Sequence, residues 1–360
     1  MDSKQEQVTL QDIRRAMPKK YFECNTLTSI SYFLVNLALS LVLLLVAIYY
    51  FESLSSPFFE IAWLSYFFLQ GKCFWGFFLL GHDCGHKAFS KNRLINDGVG
   101  LLVHSFLLLP YEQWKFTHRN HHRYCGHIDK DEGYGPVREG SKVSRKASAL
   151  LALSGFAYWC YLVGISRHGI NHYSYTDPLF KSRKSKMKTS LFAVMCMFLF
   201  LAVLSFQYGA VNVLLYYVIP LQVYSYYFII ITFLQHNDEK LVWHSDKEWT
   251  PLKGSLTTID RNISWWNIFC HHINLHQVHH FYPNIPHYRL APATKVFRKN
   301  LPLLVNTASE ATLFSYAKNL WNYTFFGKVK NNQHRFSYHS AKHSSLESNA
   351  TSESPHNVKS

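Results

Sequence analysis

The stretch WKFTHRNHHRYCGH, Trp114–His127, carries four histidines, three of them at His118, His121 and His122. On a helix, offsets of three and four residues fall on one face, so these three rings can address a common point. GHDCGHKAFS (81–90) adds His82 and His86 at i and i+4, and NLHQVHHFYP (274–283) adds His276, His279 and His280 at i, i+3 and i+4. A single HxxxH pair arises by chance on surface helices. Two HxxHH motifs together with HxxxH form a specific signal. Eight imidazoles exceed the four ligands of a tetrahedral zinc site and suit two metals with open positions. Imidazole fits iron, zinc, copper or nickel, and chemistry that needs dioxygen favours iron.

Three remote segments can share a site only if the fold brings them to one side. A bilayer-spanning helix needs about 20 mostly apolar residues. Four segments meet that length, at 28–50, 57–80, 190–207 and 210–235, the second interrupted by Glu60 and Lys72. Both short connections lack Lys and Arg. Residues before 28 hold five Lys and Arg, 81–189 hold seventeen and those after 235 hold fourteen, leaving only Lys72. The positive-inside rule therefore puts the N-terminus, 81–189 and 236–330 in the cytosol, with all three clusters on one membrane face. The apolar stretches 94–110 and 148–166 are expected to be interfacial or re-entrant, because a span at 148–166 would separate the clusters.

The formal charge of +15 suits an anionic membrane face or an acidic partner. No nucleic-acid-binding module accompanies it. Seven cysteines lack a CxxC pair and are odd in number, which excludes a disulfide framework and leaves buried, inert thiols. No cleavable signal peptide is expected. A nucleophilic triad has no support, and the lone ExxH, at 353–356, lies in a polar, proline-interrupted segment, against a carboxylate-rich di-iron bundle. Thr9 and Asp12 form a capping box for a short amphipathic helix that Pro18 stops; its expected role in segment 1–27 is a membrane-surface anchor. The Ser-, His- and Asn-rich tail 331–360 is expected to be disordered.

HDCGHKAFS (82–90), HSFLLLPYEQWKFTHRNHH (104–122) and HQVHHFYPNIPHYRLAPATK (276–295) resemble the three histidine boxes of integral-membrane fatty acid desaturases. The similarity runs from TLQDIRRAMPKKYF to about residue 300 and is closest to the methyl-end group of delta-12 and omega-3 enzymes. DEKLVWHSDKEW, LTTIDR and FYPNIPHY lean to the omega-3 side. One departure is Lys87, where many relatives carry a further histidine. The resemblance implies an all-α integral membrane fold, four transmembrane helices with a cytosolic helical cap carrying a histidine-rich di-metal site, as one desaturase domain over 28–330. It also implies two non-heme iron ions held by the box histidines, O2 as co-substrate, and electrons from cytochrome b5 or ferredoxin, both acidic donors. A ninth ligand is implied between the last span and the third box, where His236 stands. His104, Asp129 and His271 are candidates for supporting the ligands from behind, although the acids Asp129, Asp131 and Glu132 read more readily as a solvated cluster.

The expected protein is thus a multi-pass enzyme of the endoplasmic reticulum or bacterial inner membrane. It would insert a cis double bond towards the methyl end of an unsaturated acyl chain. The nearest alternative is a related di-iron lipid hydroxylase, epoxygenase or conjugase. A non-catalytic metal-binding protein is disfavoured, since transporters carry ionisable ligands inside their spans. His121→Ala or His279→Ala is expected to abolish product without affecting membrane insertion, whereas His334→Ala in the tail leaves activity intact; fatty-acid analysis of expressing cells checks all three.

Overall fold

The structure, a computed structural model, describes residues 8–342 apart from Tyr134, 263–270 and 309–312. Cys270 and the tail beyond residue 342 lie outside the described residues. The described residues are mostly helical, with six two-residue strands among them that pin loops together.

The apolar run read at 28–50 forms α2, Thr26–Tyr50, capped by the Asn25 side chain, which accepts from Thr28 N at 3.1 Å. Next, α3 runs Phe58–Gly85. At 1.5 Å per residue it is about 42 Å long, more than the ~30 Å hydrocarbon core. The last two runs become α8, Lys184–Tyr208, and a helical stretch Ala210–His236, whose parts are α9, Ala210–Val213, a π turn, Leu214–Val218, and α10, Ile219–His236. Gly209, at φ +90°, makes the corner between them, a conformation that side chains disfavour.

Among the described residues, three helical segments are long and apolar enough to cross a membrane: Thr26–Ser53, Pro178–Tyr208 and Ala210–His236. The expected span at 57–80 is a helix of sufficient length, but Glu60, Gln70 and Lys72 hold its apolar character below that of the others. The reason is its position. From Gln70 onward α3 is enclosed by other helices, and Gln70 donates to Ser40 Oγ of α2 at 2.7 Å. Asn36 Nδ2 of α2 donates to the Cys73 carbonyl at 2.9 Å.

The stretch at 94–110 does not run straight. It forms α4, Arg93–Phe106, then turns by 104° into α5, Tyr111–Tyr124. Pro110 starts α5, and Leu107 N and Leu109 N both donate to the His104 carbonyl in the turn. The stretch 148–166 breaks into α6, Arg145–Leu153, and α7, Ala157–Leu162, each too short to span. The remaining α-helices among the described residues are α11, Pro251–Ser255, α12, His276–Phe281, α13, His287–Asn300, and α14, Leu313–Phe326. An aromatic core containing Phe74, Trp75, Phe78, Trp114, Tyr224 and Phe228 joins α3, α5 and α10.

Two terminal expectations need correction. The capping box forms as read, with Asp12 N donating to Thr9 Oγ1 at 3.2 Å at the start of α1, Leu10–Ala16. The helix does not keep its apolar face for a membrane, however: Ile13 and Met17 are buried against Val278, Tyr282 and Phe297. The tail is ordered as far as residue 342. Arg335–Phe336 (β6) pairs antiparallel with Trp243–His244 (β2), and Tyr338 donates from its buried hydroxyl to Asn237 Oδ1 at 3.0 Å. Aromatic burial by Phe336 and Tyr338 outweighs the polar composition around them.

A Cβ on Gly100 of α4 would lie inside the contact distance of the Tyr111 ring of α5. Gly100→Ala is expected to destabilise the α4–α5 corner by about 1–3 kcal/mol, the usual cost of overpacking; thermal unfolding in detergent measures it.

Candidate metal centre

Each histidine motif occupies the end of a helix or the whole of a short one. His82 and His86 close α3, the α5 trio lies across them, His236 ends α10, and α12 consists largely of the third motif. Six residues make a marginal helix, so α12 needs outside support. Asp260 accepts from Gln277 N at 2.9 Å, while Gln277 donates to the Leu304 carbonyl and accepts from Asn306 N.

All nine histidines converge, in two groups. His82, His86, His118, His122 and His279 have ligand atoms within 4.8 Å of one another. Within this group the Nε2 atoms of His86 and His118 lie 2.9 Å apart, those of His118 and His122 3.2 Å, and those of His122 and His279 3.0 Å. The second group joins His121 to His236 at 3.2 Å, His236 to His276 at 2.9 Å and His276 to His280 at 3.0 Å, again between Nε2 atoms. The rings of His122 and His280 stack across the boundary, with centroids 4.1 Å apart. The second and third motifs interlock: box two gives two rings to the first group and one to the second, and box three does the reverse.

Burial, then repulsion among neighbouring rings, holds His86, His118, His122, His276, His279 and His280 well below the usual imidazole value. They are therefore neutral, each with a lone pair for a cation. Neutral rings with Nε2 atoms facing each other at 2.9–3.2 Å cannot all be satisfied as donors and acceptors, and the outward Nδ1 atoms of His122, His276 and His280 have no partner among the described residues. Two cations that accept imidazole nitrogen resolve the inward conflict, so the donor set fits a pair of such metals.

Asp131, read from the sequence as part of a solvated acid cluster, and Cys125, read as an inert thiol, both stand against the site. Asp131, buried, accepts from His121 Nδ1 at 2.6 Å, from Gly126 N at 2.9 Å and from Gly133 N at 2.8 Å. Burial opposes its ionisation, but the adjacent His121 and the hydrogen bonds prevail and keep the carboxyl below the usual range. Its partnership with Nδ1 leaves His121 Nε2 as the inward lone pair. Cys125 brings its buried Sγ within 3.8 Å of His236 Nδ1, and burial pushes the thiol well above its ordinary value, so it stays protonated. The sequence signal for Asp131 was its place soon after box two.

Of the three residues expected to support the ligands, Asp129 pairs with arginine, while His104 and His271 pack behind the motifs. Asp129 forks Arg138 at 2.8 Å to Nε and Nη2 rather than meeting a cluster ring. His104 contacts the Phe78 carbonyl at 3.3 Å and stands edge-on to Trp114, which itself stacks on His118 at 4.6 Å. His271 lies 4.5 Å from the ring of His287, whose Nδ1 donates to Asp83 at 2.7 Å. That bond ties the end of α3 to the start of α13.

A cavity of about 470 Å³ opens beside the second group. His118, His121, His236 and His276 form part of its wall, which continues through Ala152, Ala157, Phe228 and Ile229. Fold and site together define a helical protein with membrane-length apolar helices and a polyhistidine site suited to two metals. By its match to the family over residues 61–309, the chain belongs to the fatty acid desaturases, and it is accordingly an oxidoreductase. It is 35% identical to the sn-1 acyl-lipid omega-3 desaturase (ferredoxin) of Synechocystis sp. over 321 residues, covering 87% of each chain. It is 37% identical to the acyl-lipid omega-3 desaturase (cytochrome b5) of the endoplasmic reticulum of Arabidopsis thaliana, covering 79% of this chain and 74% of that one. The chloroplastic omega-3 fatty acid desaturase of Ricinus communis is 37% identical, over 80% of this chain and 63% of its own.

Asp131→Asn, which removes the charge behind His121, is expected to lower metal affinity about 10- to 100-fold. Asp129→Asn should leave it unchanged. Metal content after dialysis against a graded chelator separates the two.

Proposed function

We propose that the chain inserts a cis double bond at the omega-3 position of an acyl chain that is already unsaturated and is carried on a lipid. The observation that carries this reading is the nine-imidazole site, four of whose rings, His118, His121, His236 and His276, line a largely apolar cavity. The activities for which the omega-3 relatives are named support the position and the acyl-lipid carrier. Two iron ions are the proposed occupants, the first held by His82, His86, His118, His122 and His279 and the second by His121, His236, His276 and His280. When bound, they supply the power to reduce O2 and to remove hydrogen from unactivated methylene groups, which acid–base chemistry alone cannot do.

The chain's own residues perform the remaining tasks. Trp114 lies flat on His118 and fixes that ring. Asp131 holds His121 in one tautomer. Phe228, Ile229 and Ala157 give the acyl chain an apolar wall and exclude water from the reacting carbons.

The topology that suits this function has four spans, with α3 as the fourth, and the site on the cytosolic face where the Lys and Arg concentrate. An acidic donor, cytochrome b5 or ferredoxin, would meet that basic face. The membrane would be the endoplasmic reticulum or a bacterial inner membrane.

Expression in a host that makes oleate and linoleate, with iron and donor present, is expected to yield a new trienoic acid with its extra double bond towards the methyl end. Gas chromatography with mass spectrometry detects it. Gain of one oxygen instead of loss of two hydrogens would point to hydroxylation or epoxidation, and an unchanged profile would refute desaturation.

A further inference from the structure

Desaturation with O2 has a proton requirement that the imidazole site does not meet. Two hydrogens leave the acyl chain and dioxygen becomes two waters, so each turnover takes two electrons from the donor protein and two protons from solvent. The histidines offer lone pairs to metal, and Asp131 is committed to three hydrogen bonds. Asp129 is occupied by Arg138.

Glu132 stands apart from these. Among the described residues it is the single acid in the cavity wall that also contains His118, His121, His236 and His276. Its Oε1 accepts from Asn120 Nδ2 at 3.0 Å, which tethers the carboxyl to α5, the helix of the second box. Its Oε2 is buried and has no partner among the described residues. A bare, buried carboxylate oxygen is costly, whereas a carboxylic acid there leaves an O–H free to donate into the cavity.

We propose that Glu132 is a further catalytic residue of the desaturase reaction proposed above, delivering one solvent-derived proton per turnover to the oxygen being reduced in this cavity. The O–H bond of the carboxylic acid breaks, a new O–H bond forms on the reduced oxygen, and water reprotonates the carboxylate before the next cycle. Burial pushes the carboxyl up to about 7, with Asp131 and Asp177 raising it further and His121 and the Asn120 hydrogen bond lowering it. Lys142 and Arg167 share the cavity wall, and His168 meets the Asp131 carbonyl behind it. A raised carboxyl is protonated below its own value, so the proton is available at neutral pH and is lost as pH rises.

Glu132→Gln preserves size and the Asn120 contact while removing the proton. With the purified iron-loaded enzyme, acyl lipid and donor, the variant is expected to lose about 10²-fold in product rate, a typical general-acid contribution. It should retain its iron and divert electrons from double bonds to hydrogen peroxide. The fall in wild-type rate as pH rises through about 7 should be absent from the variant. Infrared difference spectra across pH, taken without substrate, should lose one titrating carboxylic-acid band. Glu132→Asp should recover part of the rate. A wild-type rate and pH profile in Glu132→Gln overturns the assignment and leaves the desaturase reading standing, as does loss of iron or an unchanged infrared titration. No product from the wild-type enzyme overturns the desaturase reading and this assignment with it.

Discussion

The structure depends on keeping nine imidazoles enclosed and aimed inward at close range. In water such rings would separate and take up protons near the ordinary imidazole value. Enclosure opposes both, since burial and mutual repulsion hold rings such as His118, His122, His279 and His280 in the form that offers lone pairs. The remaining fold supplies that enclosure. Of the helices, α3 brings the first box up from the apolar layer, and α5 can cross above it because the chain turns 104° after α4. The end of α10 supplies His236, and α12 closes the roof.

The roof has the weakest intrinsic structure and correspondingly dense support. A six-residue helix does not form on its own authority. Asp260 and Gln277 hold it from one side, while the Asp83–His287 bond fixes the chain beyond it to the very helix that carries the first box. The N-terminal helix packs on the same layer, and Tyr282 donates to the Ile13 carbonyl. Segments at opposite ends of the sequence thus converge on box three, the piece most in need of restraint.

Much of this was legible in the residues. Helical spacing implied one common point for each box; rings four apart (His82 and His86, His118 and His122, His276 and His280) do share a group, whereas rings three apart (His118 and His121, His276 and His279) divide between the two. The capping box at Thr9 formed as read. What the sequence could not reveal was allocation. Adjacent acids Asp129, Asp131 and Glu132 look alike on paper, yet one pairs with arginine, one supports a ring and one lines the cavity. The loop after α5 decides this, and no periodicity describes such a loop. Tertiary contact also overrode composition at both termini, where buried side chains such as Met17 and Tyr338 outweigh polar surroundings. Gln70, which weakens α3 as an apolar span, reaches a partner on α2; hydropathy counts the cost and cannot see the bond.

His121 and His122 are neighbours in the chain but serve different groups. Their directions around α5 differ by the roughly 100° step of the helix. A twist of α5 about its axis would therefore move both rings together, seating one more deeply as it withdraws the other. The two halves of the site are geared through a single shaft, so neither can be tuned without detuning its twin.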